Sequence, residues 1–564
     1  MTSMPSPLRV RNAIALLAAL AATLAVSPHL HADDAPAAAP APAETPALRF
    51  ARHDVARWTA RSQALTEAAT AAAANLDAAN KAVAEAKAGQ AAADMALANA
   101  VQAIAAAEQQ KIVAANAASQ AIDALKKLET EKTSEAATIA AARTAVDAAA
   151  KVLEAAIQAI PDSRTKQKQA ELAKAEADKR PAVAEAAVKP ATDAKAAADK
   201  ALADLQPLLK QAQDRLASFE KAAPQPDPAA TRLAQTFTHD RAVLACRFDT
   251  TGDHLFAGAE DACFHRWDLF TSAAVHPKVH KSWLGSLALV PPAGSQVITA
   301  GHEGKLTWWN GLEADPRALR TIDAHKGYIR AVAVSPDAQF VATAGNDHAV
   351  RIWSAADGTL VKELAGHTRH VYNVAFHPSG KFLVSGDLLG IIKQWEVGTW
   401  NHVRDLDAKV LWKYDEGFKA DVGGVRTFAF SSDGKHMAAG GITDVTNAFA
   451  GVGVPCVVLF DWESGKQLKV MKPKDAFQGS IYGVRFSPAG DFIVGAGGGG
   501  AGALWFWKLD DDKSFQAIGL PSVAYDLDLH PDGLRLAVAL FDKTVRIYDM
   551  SPKFEAPPAA AAAK

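Results

Sequence analysis

Cysteine is nearly absent from this sequence: Cys246, Cys263 and Cys456 are the only three in 564 residues. No disulfide framework can hold such a chain together, and it contains no Cys-x-x-Cys-His for covalent haem and no paired Cys/His spacing for zinc. A charge imbalance is lacking too. Sixty basic residues stand against 62 acidic ones, which leaves no electrostatic footprint for nucleic acid or an anionic membrane. Aromatic residues vanish between Trp58 and Phe219, where Gly89 is the single glycine, so that stretch cannot build a globular core. Long hydrophobic runs are missing as well, since Ala13–Val26 falls short of the ~20 residues that span a bilayer. Stability must come from packing, and the length calls for more than one unit.

What is present divides by texture. Arg9 and Arg11 precede the Ala13–Val26 run, and Leu30-His31-Ala32 follows with a small residue where a signal peptidase cuts. Residues 1–32 are therefore expected to be a signal peptide. The mature protein then begins near Asp33 and is exported, periplasmic or extracellular, with no stable membrane insertion. Residues 33–49 read as an Ala/Pro-rich linker and 223–230 as a second one. Residues 551–564 read as a disordered Ala/Pro tail.

Residues 50–222 carry a heptad. Leu76, Val83, Gln90, Leu97, Ile104, Lys111, Ala118 and Leu125 recur at sevens, and Ala79, Ala86, Ala93, Ala100, Ala107, Ala114 and Ala121 follow three residues behind them. Large residues opposite alanine predict a long α-helical coiled coil whose helices approach closely and mediate self-association or spacing. Pro161-Asp162 is expected to end the first helix, because proline lacks the donor and clashes with the preceding turn. A second stretch, with Leu202, Leu209 and Leu216 in the same spacing, would then fold back from that point.

Residues 231–550 repeat. Trp267, Trp309, Trp353, Trp395, Phe460, Trp507 and Tyr548 end successive units at steps of 42, 44, 42, 65, 47 and 41 residues, the period of four-stranded propeller blades. Each unit carries an apolar strand running into a tight turn, as in AVAVSPDAQ from 331, VAFHPSGK from 374, FAFSSDGK from 428, VRFSPAGD from 484 and LDLHPDGL from 527. This region resembles an all-β, seven-bladed WD40-type β-propeller. With the helical segment before it, the chain is similar to secreted bacterial WD40 proteins that bear an Ala-rich coiled coil.

The resemblance implies a buried hydrogen-bonded set within a blade, formed in the third unit by His325, Thr343, Asp347 and Trp353. Those residue types also occur in catalytic triads, but as a blade set they satisfy buried polar groups. Other units keep it in part. His239, Asp261 and Trp267 stand in the first, with Ala257 in place of the hydroxyl. His280, Thr299, Glu303 and Trp309 stand in the second. His367, Ser385 and Trp395 stand in the fourth, with Leu389 in the acid's place. Pairing of Thr231–Phe237 with the last unit is expected to close the ring and remove an exposed edge.

Function is sought where the repeat is broken. The extra residues before Phe460 fall in 398–424 and 441–455, and blade six adds GGGGAG at 497–502. Their aromatics Trp400, Trp412, Tyr414, Phe418 and Phe449 are the candidate partner-binding residues. The reading preferred is an exported, non-enzymatic scaffold whose propeller binds a protein, with no catalytic residues, metal or cofactor. Its protein partner is expected to be an exported cytochrome or a hydrolase. One alternative is a propeller enzyme of the lactonase or quinone-dependent type, for which only His302, Asp387 and Asp444 lie near one face. The other is a docking accessory of a c-type cytochrome electron-transfer system. Both alternatives are implied by the resemblance alone.

Overall fold

The computed structural model describes residues 45–131, 135–278, 280–291, 296–447 and 451–552. The expected signal peptide, residues 33–44 of the first linker and almost the whole C-terminal tail lie outside the described residues.

Three helices come first: α1 (Pro46–Thr130), α2 (Ala136–Ala177) and α3 (Arg180–Lys221). At ~1.5 Å per residue, the 85 residues of α1 extend about 130 Å. Its start lies inside the expected linker, because Thr45 Oγ1 accepts the Leu48 N–H at 3.3 Å and Pro46 occupies the first turn, where no donor is needed.

The chain reverses between Glu131 and Glu135, not at Pro161. Across the resulting hairpin, Arg143 meets Glu129 at 2.9 Å, Arg164 meets Glu108 at 3.4 Å and Lys174 meets Asp94. Further along, Lys87 meets Glu185 at 2.8 Å and Arg52 meets Glu220 at 3.4 Å. Pro161 sits within α2, and Pro190 and Pro207 within α3. Each forfeits one backbone bond, but packing along the unbroken α1 carries the helices through. Only Pro181, in the first turn of α3, accompanies a real break, at Asp178-Lys179.

The heptad seam is the inward face of α1. Leu76, Val83, Leu97, Ile104 and Leu125 are half-buried, and Ala107, Ala114 and Ala118 are buried. Gln90 in the seam donates to Asp178 at 2.9 Å, whereas Lys111 turns out to solvent. No helix among the described residues is long and apolar enough to cross a membrane.

Seven four-stranded antiparallel sheets follow, each numbered here as a blade. Their innermost strands are Val243–Phe248, Leu284–Leu289, Ile329–Val334, Val371–Phe376, Thr427–Phe430, Ser480–Phe486 and Ala524–Leu529. Arg232–Thr238 pairs with Thr544–Asp549 and completes blade seven from the other end of the chain, as expected. Inside the ring, Asp526 and Asp528 of blade seven accept the backbone N–H groups of Cys246 and Phe248 in blade one at 3.1 and 2.9 Å, fastening the closure. Cys246 and Cys456 are buried, and all three thiols are free.

Antiparallel strands place the turns after the first and third strands on one face of the ring, here the lower one. The other connections lie on the upper face. The base of the helical hairpin docks on the lower face of blades seven and one, directly over the closure. Ala47, Ala51 and Phe219 pack on Leu534, Phe50 meets His530 edge-on at 5.2 Å, and Trp58 lies against Phe270. Arg57 pairs with Asp253, and Arg215 approaches the buried Asp532 at 3.7 Å. Burial alone would raise the Asp532 carboxyl, but Arg535, His530 and Arg215 hold it far below the usual range.

Candidate functional site

The four residues named for blade three come together. In blade three, His325 Nδ1 lies 2.8 Å from Asp347 Oδ1 and its Nε2 2.8 Å from Thr343 Oγ1, to which Trp353 Nε1 donates at 2.9 Å. Burial would raise the Asp347 carboxyl, but hydrogen bonds from His325 and Arg351 hold it well below the ordinary value. Blade two repeats the arrangement with Glu303, His280, Thr299 and Trp309. Blade four corrects one expectation. Leu389 leaves no gap, because Asp387, at the end of the second strand, meets His367 Nδ1 at 2.8 Å. A carboxylate two residues after Ser385 reaches His367 as one four residues after Thr343 reaches His325.

In blade one, Ala257 supplies no hydroxyl and the histidine ring is turned. His239 Nδ1 lies 2.9 Å from the backbone of Arg241, and its Nε2 lies 3.3 Å from Asp261. His265, cross-strand from Ala257, directs its Nε2 at the same carboxylate from 3.2 Å.

The upper face carries a ring of side chains that sequence reading missed. In six blades the pairing of the innermost strand shifts at its second residue, or its third in blade six, leaving Leu244, Arg330, Tyr372, Tyr482 and Tyr525, and in blade two Gly285, which bears no side chain, without a cross-strand partner. Such bulges re-aim a side chain, here at the upper ends of the innermost strands, which surround the mouth of the ring. Arg426, preceding Thr427, holds the corresponding place in blade five. Tyr372 is flanked by two guanidiniums, Arg426 at 4.0 Å and Arg330 at 5.3 Å from the ring centroid. Arg330 also covers Tyr328 at 5.4 Å, and Tyr328 stacks on His302 at 4.4 Å. Burial, with Arg330 nearby, brings the His302 imidazole down to about 4, so it is uncharged at neutral pH. Trp283, Tyr328 and Phe541 present exposed aromatic surface around this mouth. Arg426 Nε is buried with no hydrogen-bond partner among the described residues. A signal for the ring was legible. Each of the seven residues stands six places before the first residue of the following turn, as Arg330 before Pro336 and Tyr372 before Pro378.

The irregular loops are more ordered than expected. Trp412–Asp415 and Ala420–Gly423 form their own two-stranded hairpin. Blade five's second and third strands, His436–Asn447 and Val452–Asp461, extend through most of the expected loop. Lys413 Nζ ties the two together by donating to the Val445 carbonyl at 2.6 Å. Trp412 is half-buried and donates to Asp421 at 3.0 Å, while Tyr414 and Phe418 are exposed on the upper face. Trp400 does not belong with them. It is buried in a lower-face turn, packed edge-on against Phe340 at 5.1 Å, and cannot touch a partner. Phe449 lies outside the described residues. The Gly-rich turn of blade six serves the chain's own packing, because a Cβ on Gly479 would stand 2.1 Å from the Gly498 carbonyl carbon.

The three residues considered for an enzyme are each engaged elsewhere. His302 stacks on Tyr328, Asp387 accepts from His367, and Asp444 pairs with Lys472 at 2.6 Å.

The family model described as WD domain, G-beta repeat matches residues 231–268, 316–354, 358–396 and 521–549. Blades five and six lie outside these segments, as do the first three strands of blade two. Among curated proteins, the chain is 28% identical over 185 residues to nuclear distribution protein nudF of Emericella nidulans, which covers 28% of this chain and 40% of that one. It is 28% identical to apoptotic protease-activating factor 1 of Rattus norvegicus over 36% of this chain and 16% of the relative. With telomerase protein component 1 of the same organism it shares 27% identity over 40% of this chain and 8% of the relative. The matches thus span less than half of each relative's length. Together with the seven closed sheets, they make this chain a seven-bladed β-propeller of WD40 repeats preceded by a long helical segment at 46–221.

Proposed function

We propose that the protein is an exported, non-enzymatic scaffold that holds a protein partner at the upper mouth of its propeller. WD40 propellers generally bind protein partners. The observation that carries the reading is the Arg330–Tyr372–Arg426 stack among the bulged positions, beside exposed Trp283 and Tyr328. Tyr, Trp and Arg are the residues that concentrate binding energy, and two guanidiniums on one ring suit a segment bearing carboxylates. Tyr414 and Phe418 extend the surface outward from blade five.

The helical hairpin leaves the opposite face, so it spaces the propeller or joins a second copy without blocking the mouth. Ile112, Val113, Val152 and Ile157 are exposed toward its far end, and they favour self-association. Export rests on the N-terminal sequence alone.

Capture from a periplasmic fraction by the tagged full chain tests the reading. Arg330→Ala with Arg426→Ala is expected to abolish capture while the melting temperature stays within a few degrees. Undiminished capture by the folded double variant would move the partner away from the mouth. Sedimentation of the full chain separately reads self-association.

A further inference from the structure

We propose that blade one holds a divalent transition metal ion, zinc being the reference case, between His239, His265 and Asp261. One ligand atom from each of the three residues lies within 4.8 Å of the other two. Each histidine nitrogen stands 3.2–3.3 Å from the carboxylate. In blades two, three and four the corresponding histidine–carboxylate distances are 2.7–2.8 Å, as expected of charge-assisted hydrogen bonds. The longer separation is the edge of a tetrahedral site, since bonds of about 2.0–2.1 Å place neighbouring ligands ~3.3 Å apart.

The sequence explains why only this blade is so arranged. Loss of the hydroxyl at Ala257 frees the His239 ring to turn, so Nε2 and not Nδ1 faces the acid. Its Nδ1 then lies 2.9 Å from both the carbonyl oxygen and the N–H of Arg241, and donation to the carbonyl is the tautomer that leaves Nε2 free to ligate. Where blade three places Arg351, whose guanidinium fills this space by pairing with Asp347 at 2.8 Å, blade one places His265, an imidazole that can ligate. The Cys263 N–H donates to Asp261 at 2.9 Å and orients the carboxylate. His239 and His265 are nearly covered, and Asp261 retains 24% of its side-chain exposure. An ion could enter beside that carboxylate, and remaining coordination positions would face outward. Two imidazoles and one carboxylate suit zinc and neighbouring first-row ions rather than magnesium or calcium.

Equilibrium dialysis of the full chain against zinc chloride, with metal analysis, is the primary test. One equivalent should bind in the presence of excess magnesium. His265→Arg restores the residue type of blade three and should fold normally, yet weaken binding by more than the roughly 10–100-fold that loss of an outer partner costs. Cobalt(II) gives a readout on the unaltered chain, because tetrahedral nitrogen and oxygen ligation absorbs strongly in the visible and the hydrated ion does not. Absence of both uptake and this spectrum, or binding unchanged in folded His265→Arg, would overturn the assignment and leave Asp261 as a shared hydrogen-bond acceptor.

Discussion

The helical hairpin and the propeller are both built from repeats, yet they are held together by different means. Away from its base, only Ala107, Ala114 and Ala118 of α1 are buried. Alanine removes little apolar area from water, so the long arm is a sum of many small contacts, with ion pairs along its edges. Each junction between blades instead buries a complete cluster, such as Trp353 with Trp308, Ile329, Val332 and Val341. A repeat that contacts only its neighbours tolerates local defects, and the propeller therefore keeps its ring although no two of its blade sets are alike. The hairpin is strongest where it ceases to be a repeat, at the aromatic and charged base seated on blades seven and one.

Removing a large buried ring should separate the two regions most sharply. Trp353→Ala deletes the indole and its bond to Thr343 and is expected to cost about 3–5 kcal/mol. Near-UV dichroism, which reads the propeller, should lose its transition at a lower temperature than far-UV dichroism at the helical band. A single shared transition would show that the arm has no stability of its own.

Phe219→Ala acts at the joint. It empties the cluster with Ala47, Ala51 and Leu534 and should cost about 3 kcal/mol at the base. Protease susceptibility at 223–230 should rise while the mouth still captures partner. Acid attacks the same joint. Because the Asp532 pKa is depressed in the fold, its stabilisation is complete above the ordinary carboxylate value of about 3.9 and is lost as pH falls below it. Melting should therefore drop below about pH 4, with a shallower slope in Asp532→Asn. Within a blade, Asp347→Ala leaves His325 and Arg351 without their acceptor and is expected to cost about 1–3 kcal/mol. Differential scanning calorimetry reads the change, and partner capture should be unaffected.

Legibility followed the same division. Period and turn chemistry made the ring readable, and the heptad located the inward face of α1, because both depend on local spacing. The reversal of α2 along α1 was not readable from proline rules, since contact with α1 over many residues outweighs the single backbone bond lost at Pro161. Trp400 misled because an aromatic in a turn looks alike in sequence whether it packs on Phe340 or meets solvent. The channel-mouth ring was written at a constant distance before each turn. Its meaning emerged only with the bulges, which release Arg330 and Tyr372 from the alternation of an ordinary strand.

The smallest effect bears on whether the arm is a sum of weak terms. Lys87 and Glu185 meet at 2.8 Å across the hairpin, yet both side chains are more than half exposed. Water and salt screen such a pair, and two long side chains must be ordered to form it, so it contributes between about 0 and 1 kcal/mol. Lys87→Ala alone would also alter local helix propensity, and alanine is the better helix former. A double-mutant cycle with Glu185→Ala removes that term. The coupling energy from thermal melts of the full chain should lie near the lower end of the range and shrink further in high salt. A coupling well above 1 kcal/mol would mean that particular cross-helix contacts, and not the accumulated alanine seam, fix the register of the arm.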